Sequence, residues 1–108
     1  MKLLDFVETS RFTKRIMKLL SDDDYSKIQL FLCEFPDFGK IIKSGGGIRK
    51  MRCGIEDKGK SGGARLIYYW AVSRELILML DVYPKNEKEN LTPDELKSLR
   101  HEVEEFLR

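Results

Sequence analysis

Apolar positions change their period twice along the 108-residue chain. Residues 2–8 alternate weakly and fit a short strand. Phe12, Ile16 and Leu19 or Leu20 then recur at helical spacing, which predicts a short amphipathic helix ending near Leu20, with Ser10 available as its cap. Ser21-Asp22-Asp23-Asp24 places a capping hydroxyl three residues before a carboxylate, just ahead of Tyr25, Ile28, Leu32 and Phe35. A second helix starts there, and Pro36 stops it. Beyond Gly45-Gly46-Gly47 the period becomes two, and strands are expected over residues 48–55, 64–72 and 76–83. The last two are joined tightly through Ser73-Arg74 and should form an antiparallel hairpin. Thr92-Pro93-Asp94-Glu95 opens a final helix with a capping hydroxyl, a proline at the first helical position and a glutamate reaching back. Leu96, Leu99, Val103 and Phe106 form its buried stripe. The order strand, helix, helix, three strands, helix defines an α+β fold in which two N-terminal helices and a C-terminal helix pack on a mainly antiparallel sheet.

With 42% apolar and 35% charged residues, a chain of this length is expected to fold as a single domain over residues 1–108. Its longest apolar stretches, residues 66–72 and 76–80, fall far short of the roughly 20 residues that span a bilayer, and no leader pattern opens the chain. A cytoplasmic protein with no membrane partner is the expectation. Cys33 and Cys53 read as buried free thiols, because nothing points to a disulfide-rich secreted framework. Neither pairs at ligand spacing with the only histidine, His101, so no metal or other cofactor is called for. A net charge of +2 decides little by itself, since binding depends on where charge lies.

Charge is concentrated between residues 40 and 65. Lys40, Lys43, Arg49, Lys50, Arg52, Lys58, Lys60 and Arg65 are opposed there only by Glu56 and Asp57. For Lys40, Lys43 and Lys58 the plain reading is a solvated surface residue. On the strand over residues 48–55, Met51 and Cys53 share one face, which leaves Lys50 and Arg52 together on the other, about 7 Å apart by the strand rise. That repeat is close to the spacing of successive phosphates on a nucleic-acid strand. Arg65 heads an otherwise apolar and aromatic strand, where a charge needs a partner or an anionic ligand. Residues 81–87, Asp-Val-Tyr-Pro-Lys-Asn-Glu, add a phenol, an ammonium, an amide and a carboxylate that can converge with Lys50 and Arg52 if the strands align.

Residues 54–61 match the G-x-x-x-x-G-K-[ST] phosphate-loop pattern. That motif works only when a helix begins at the Lys-Ser, so that its N-terminal amides face the phosphates. Gly62-Gly63 and a β-branched and aromatic run follow instead, and the alternating strands and helices of a parallel nucleotide-binding sheet are missing. The segment is read as a basic hairpin loop.

The stretches GGIRKMRCG, GKSGGARLIYYW and LMLDVYPKNEKENLTPDE, which span residues 46–95, resemble the HigB-type branch of the RelE toxin superfamily. The resemblance implies a RelE-like fold and a toxin of a type II toxin–antitoxin system. It further implies an endoribonuclease that cuts messenger RNA on the ribosome without a metal, by attack of the 2′-hydroxyl on the adjacent phosphate. Partners would be the ribosome, its message and a cognate antitoxin of helix-turn-helix, HigA-like type. Such chemistry needs cations for the extra charge on phosphorus and groups that move protons. By this resemblance Lys50, Arg52, Arg65 and Lys85 are candidate catalytic residues together with Tyr83, and Arg49, Lys58, Lys60, Asn86 and Glu87 are candidate RNA- or ribosome-binding residues.

The sequence departs from the family in two places. Better-studied relatives carry arginine at the position of Lys85, and some use histidines as acid and base, whereas His101 lies in the final amphipathic helix as a surface or packing residue. Proton transfer then falls to Lys50, Tyr83 or Glu87. Tyr83 has two further readings, a stacking partner for a base and a strand-end core residue. Two other functions fit the same fold: a toxin that poisons DNA gyrase, and a non-catalytic RNA-binding domain.

Overall fold

The computed structural model describes residues 2–54 and 63–108. Its elements are β1 (Asp5–Glu8), α1 (Ser10–Leu19), α2 (Asp22–Glu34), β2 (Lys40–Ile41), β3 (Arg49–Cys53), β4 (Ala64–Ala71), β5 (Leu76–Pro84) and α3 (Pro93–Leu107). The strands form one sheet in the order β1-β5-β4-β3-β2. β2 to β5 pair antiparallel, while β1 lies parallel to β5, with Asp5 opposite Leu76 and Glu8 opposite Met79. The α+β order expected from periodicity is present, with the two-residue β2 added. Two exposed residues carry no alternation by which to find such a strand.

Local chemistry explains where the helices begin. Thr9, and not Ser10, caps α1: its hydroxyl accepts from the Phe12 N–H at 3.1 Å and donates to the Leu80 carbonyl at 2.8 Å, so the cap also ties the helix to β5. Ser21 caps α2 by accepting from the Asp24 N–H at 3.1 Å, and Asp22, Asp23 and Asp24 place negative charge on the positive end of the helix dipole. At α3 both halves of the capping box form between Thr92 and Glu95, with Pro93 in the first turn.

The sheet is covered on both faces. Phe12, Ile16 and Leu20 of the α1 region and Leu32 of α2 pack with Met51, Leu66, Tyr68, Ile77 and Met79 on one side. Leu99 and Val103 of α3 pack with Ile48, Ile67, Leu78, Leu80 and Tyr83 on the other. Two-sided cover accounts for the nearly unbroken apolar run of β5, where strict alternation would mark a half-exposed strand. A bulge interrupts the β4–β5 register: Ile67 faces Asp81 and Tyr68 faces Met79, which leaves Leu80 as the extra residue. The β4–β5 joint is a 3-10 turn over Val72–Arg74 with Glu75 in the left-handed region at φ 55°, longer than the tight turn expected at Ser73-Arg74. Cys33 and Cys53 are free and buried, and burial pushes the Cys53 thiol up to about 11. Among the described residues no helix is long and apolar enough to cross a membrane.

Candidate functional site

Strand register brings the basic residues together. Arg52 lies opposite Arg65, and Arg65 opposite Tyr83, so these three form one row across β3, β4 and β5. Lys50 lies opposite Ile67 on one side and Lys40 on the other. Because Met51 and Cys53 point into the core beneath α1 and α2, Lys50 and Arg52 are turned to the opposite face. Lys40, Lys50, Arg52 and Arg65 line a cavity of about 620 Å³ whose other walls are Phe38, Met51 and Glu89. Among the described residues, four cations thus face a single carboxylate.

That carboxylate comes from the connection between β5 and α3. One guanidinium nitrogen of Arg65 donates to both carboxylate oxygens of Glu89 at 3.1 Å, and Arg52 lies 3.9 Å from the same group. The neighbouring Asn90 accepts from the Lys50 ammonium at 2.8 Å. Arg65 has only 3% of its side chain exposed, and an unpaired charge so buried would be expensive. Glu89 meets that need. The Arg65 hydrogen bond and charge, followed by the charges of Arg52 and Lys50, hold the Glu89 carboxyl below the usual carboxylate range.

The remaining candidate residues separate into groups. Tyr83 is fully buried in the α3-facing core, its hydroxyl has no hydrogen-bond partner among the described residues, and the Lys88 ammonium sits 4.8 Å from its ring centre. Burial pushes its phenol up to about 12, against the pull of Arg65. Lys85 and Asn86 are exposed just past β5, and the Lys85 N–H donates to the Gly63 carbonyl at 2.8 Å. Neither lines the cationic cavity. Glu87 turns toward α1, where it lies 3.5 Å from Arg15. Arg49 is on the Met51 side of β3, and its guanidinium donates to the carbonyls of Asp37 and Gly39 at 3.0 and 2.8 Å. It braces a loop. Lys58, Lys60 and most of the phosphate-loop match lie outside the described residues; the chain that follows is β4, a strand. His101 is exposed on α3, 3.8 Å from Glu105.

Sequence reasoning missed Glu89, Asn90 and Phe38 and set Lys40 aside as a surface residue. The usable signal was Arg65 itself: a cation destined for burial requires a carboxylate, and the nearest unassigned ones follow the strand that pairs with it.

Residues 38–108 match the family model described as the RelE toxin of the RelE/RelB toxin–antitoxin system. The chain belongs to this family of toxins. Among solved structures, a doubly substituted E. coli RelE toxin in the free state is similar at 16% identity and a TM-score of 0.62, over 94% of this chain and 98% of that one. The isolated E. coli RelE toxin matches at 17% identity and a TM-score of 0.58, over 91% and 97%. The intact E. coli RelBE toxin–antitoxin complex matches at 20% identity and a TM-score of 0.56, over 73% and 93%. At such identities the likeness establishes the fold, here the RelE fold.

Proposed function

We propose that this RelE-family toxin is a ribosome-dependent messenger-RNA endonuclease that acts in the cytoplasm as a single domain and is neutralised by a cognate antitoxin of helix-turn-helix, HigA-like type. The observation that carries the reading is the cavity in which Lys40, Lys50, Arg52 and Arg65 converge around one displaceable carboxylate. A phosphate entering there meets the cations of β2, β3 and β4. Arg65 stays charged at any accessible pH and is held rigid by burial, so it suits the charge that builds on phosphorus as the 2′-hydroxyl attacks. Arg52 shares that charge. Of the groups considered for proton transfer, only Lys50 lines the cavity, and the role is assigned to it; Tyr83 is covered and Glu87 is paired with Arg15. Lys85 and Asn86, exposed just past β5, and Lys58 and Lys60 are assigned to docking on ribosomal or messenger RNA.

The test is induced expression followed by mapping of RNA ends in translated messages. New 5′-hydroxyl ends inside codons, absent when Lys50 and Arg52 are both alanine, are expected. Growth arrest with intact message and altered DNA supercoiling would replace this reading with gyrase poisoning.

A further inference from the structure

Phe38 stands between two cavities. Its residue surface is 56% exposed, yet it lines both the cationic cavity and an apolar cleft of about 580 Å³ that it shares with Ile28, Phe31 and Met51. An exposed aromatic on a loop ordinarily moves freely. Here the backbone on both sides of it is fixed. The Tyr68 hydroxyl donates to the Pro36 carbonyl and accepts from the Gly39 N–H, both at 2.8 Å. Arg49 adds its two hydrogen bonds to the Asp37 and Gly39 carbonyls. Tyr68 and Arg49 are cross-strand partners in the sheet, so both braces are rigid. Gly39 permits the approach, since a Cβ there would stand 2.8 Å from the Tyr68 ring and hydroxyl. Phe31 supports Phe38 edge to face, with ring centres 4.8 Å apart at 85°.

We infer that Phe38 is a stacking platform for one nucleobase of a single-stranded RNA whose phosphate occupies the adjacent cationic cavity. This rests on the proposed RNA-cleaving function and names the base subsite of that site. A flat apolar surface beside a cluster of cations is what single strands use, because the base stacks while its phosphate is neutralised. A ring already held in place gives up little freedom when a base lands on it. A duplex does not fit, since its bases are stacked on one another. The phenyl ring has no hydrogen-bonding edge, so it holds a base in position without choosing which base.

The experiment is an NMR titration of the full chain with non-cleavable 2′-O-methyl RNA trinucleotides, one complete and one lacking its central base. Wild type should shift the central base's protons upfield through the ring current. Phe38→Leu, which keeps an apolar side chain but no π-face, should abolish that shift and weaken the complete trinucleotide about tenfold, the scale of one base–aromatic stack. It should leave the abasic trinucleotide unchanged, and Phe38→Trp should restore binding of the complete one. Arg52→Ala should weaken both trinucleotides alike. If Arg52→Ala weakens both but Phe38→Leu weakens neither, the platform is wrong and the phosphate site stands. If wild type binds neither trinucleotide, or Arg52→Ala changes nothing, the cationic site is not an RNA site and the platform falls with it.

Discussion

Arg65 and Glu89 form a pair in which the cation is buried and the anion is not: their side chains are 3% and 54% exposed. The carboxylate occupies the guanidinium nitrogen that Arg65 presents in the cavity, where a phosphate would bind in the proposed function. Glu89 therefore competes with substrate. Glu89→Gln removes the competing charge while keeping an oxygen to accept from Arg65, and it should bind single-stranded RNA more tightly than wild type at low salt, measured by fluorescence anisotropy. An unchanged Kd would mean that phosphate never exchanges with this carboxylate.

The same pairing has a pH signature. Arg65 depresses Glu89, and the hydrogen bond from Lys88 depresses Glu95. A carboxylate with a depressed folded pKa stabilises fully above its unfolded value, about 4.3 for glutamate, and that contribution is lost as pH falls through the folded value. Asp81 acts oppositely: burial raises its carboxyl despite Arg15, so its protonation relieves a cost as pH falls. Glu89 is exposed and Glu95 partly so, and solvent screening keeps their effect modest. The Tm of wild type should fall on acidification through the glutamate range, and the fall should be shallower when Glu89 and Glu95 are both glutamine. Equal slopes by circular dichroism would show that the pairs add no net stability.

Tyr83 supplies a second stability test. Its buried hydroxyl has no partner among the described residues, and an unpaired hydroxyl costs roughly 1–3 kcal/mol. Tyr83→Phe should therefore unfold at a higher temperature and cleave at the wild-type rate. A loss of about 10²-fold, the scale of lost proton transfer, would reveal instead that the segment carrying Lys88 lifts during turnover and exposes the phenol.

Much of this arrangement is legible in the sequence where the cause is local. Ser21 and Thr92 cap helices through contacts three residues away, and Lys50 and Arg52 share a face because strands alternate. The same alternation places Arg49 with Met51, on the other side of β3 from Lys50 and Arg52, where it bonds the carbonyls of Asp37 and Gly39. Arg65 visibly needed a partner, but Glu89 lies 24 residues on, past a hairpin and a loop, and no period links the two. Tyr83 reads from sequence as a catalytic, stacking or strand-end core residue, and nothing local says that α3 covers it. Phe38 sits in a loop, where periodicity is silent.

Tyr68 tests whether the brace beneath Phe38 matters. Its buried hydroxyl bonds the Pro36 carbonyl and the Gly39 N–H, and Tyr68→Phe leaves both backbone groups without that partner, at a cost of about 1–3 kcal/mol. Urea unfolding should show a lower midpoint with an unchanged slope. RNA binding should weaken too, as Phe38 loses its fixed position. Weakened stability with unaltered binding would separate the brace from the site.

The last prediction concerns the reaction itself. Arg65 occupies the middle of the row that runs from Arg52 to Tyr83, and burial fixes its guanidinium before substrate arrives. A preorganised donor of that kind stabilises charge that appears only in the transition state, and removing one typically costs about 10²-fold or more in rate. Arg65→Ala should thus slow single-turnover cleavage of ribosome-bound message by about that factor, even at saturating enzyme. Lys40, exposed at the edge strand, should act differently: Lys40→Ala should weaken binding and leave the saturated rate nearly intact. Unfolding is a necessary control, because Arg65→Ala empties a buried side-chain position as well as releasing Glu89. Both variants should melt near wild type before their rates are compared. If saturated Arg65→Ala cleaves as fast as wild type, the buried guanidinium serves the fold alone, and Lys50 and Arg52 carry the phosphate without it.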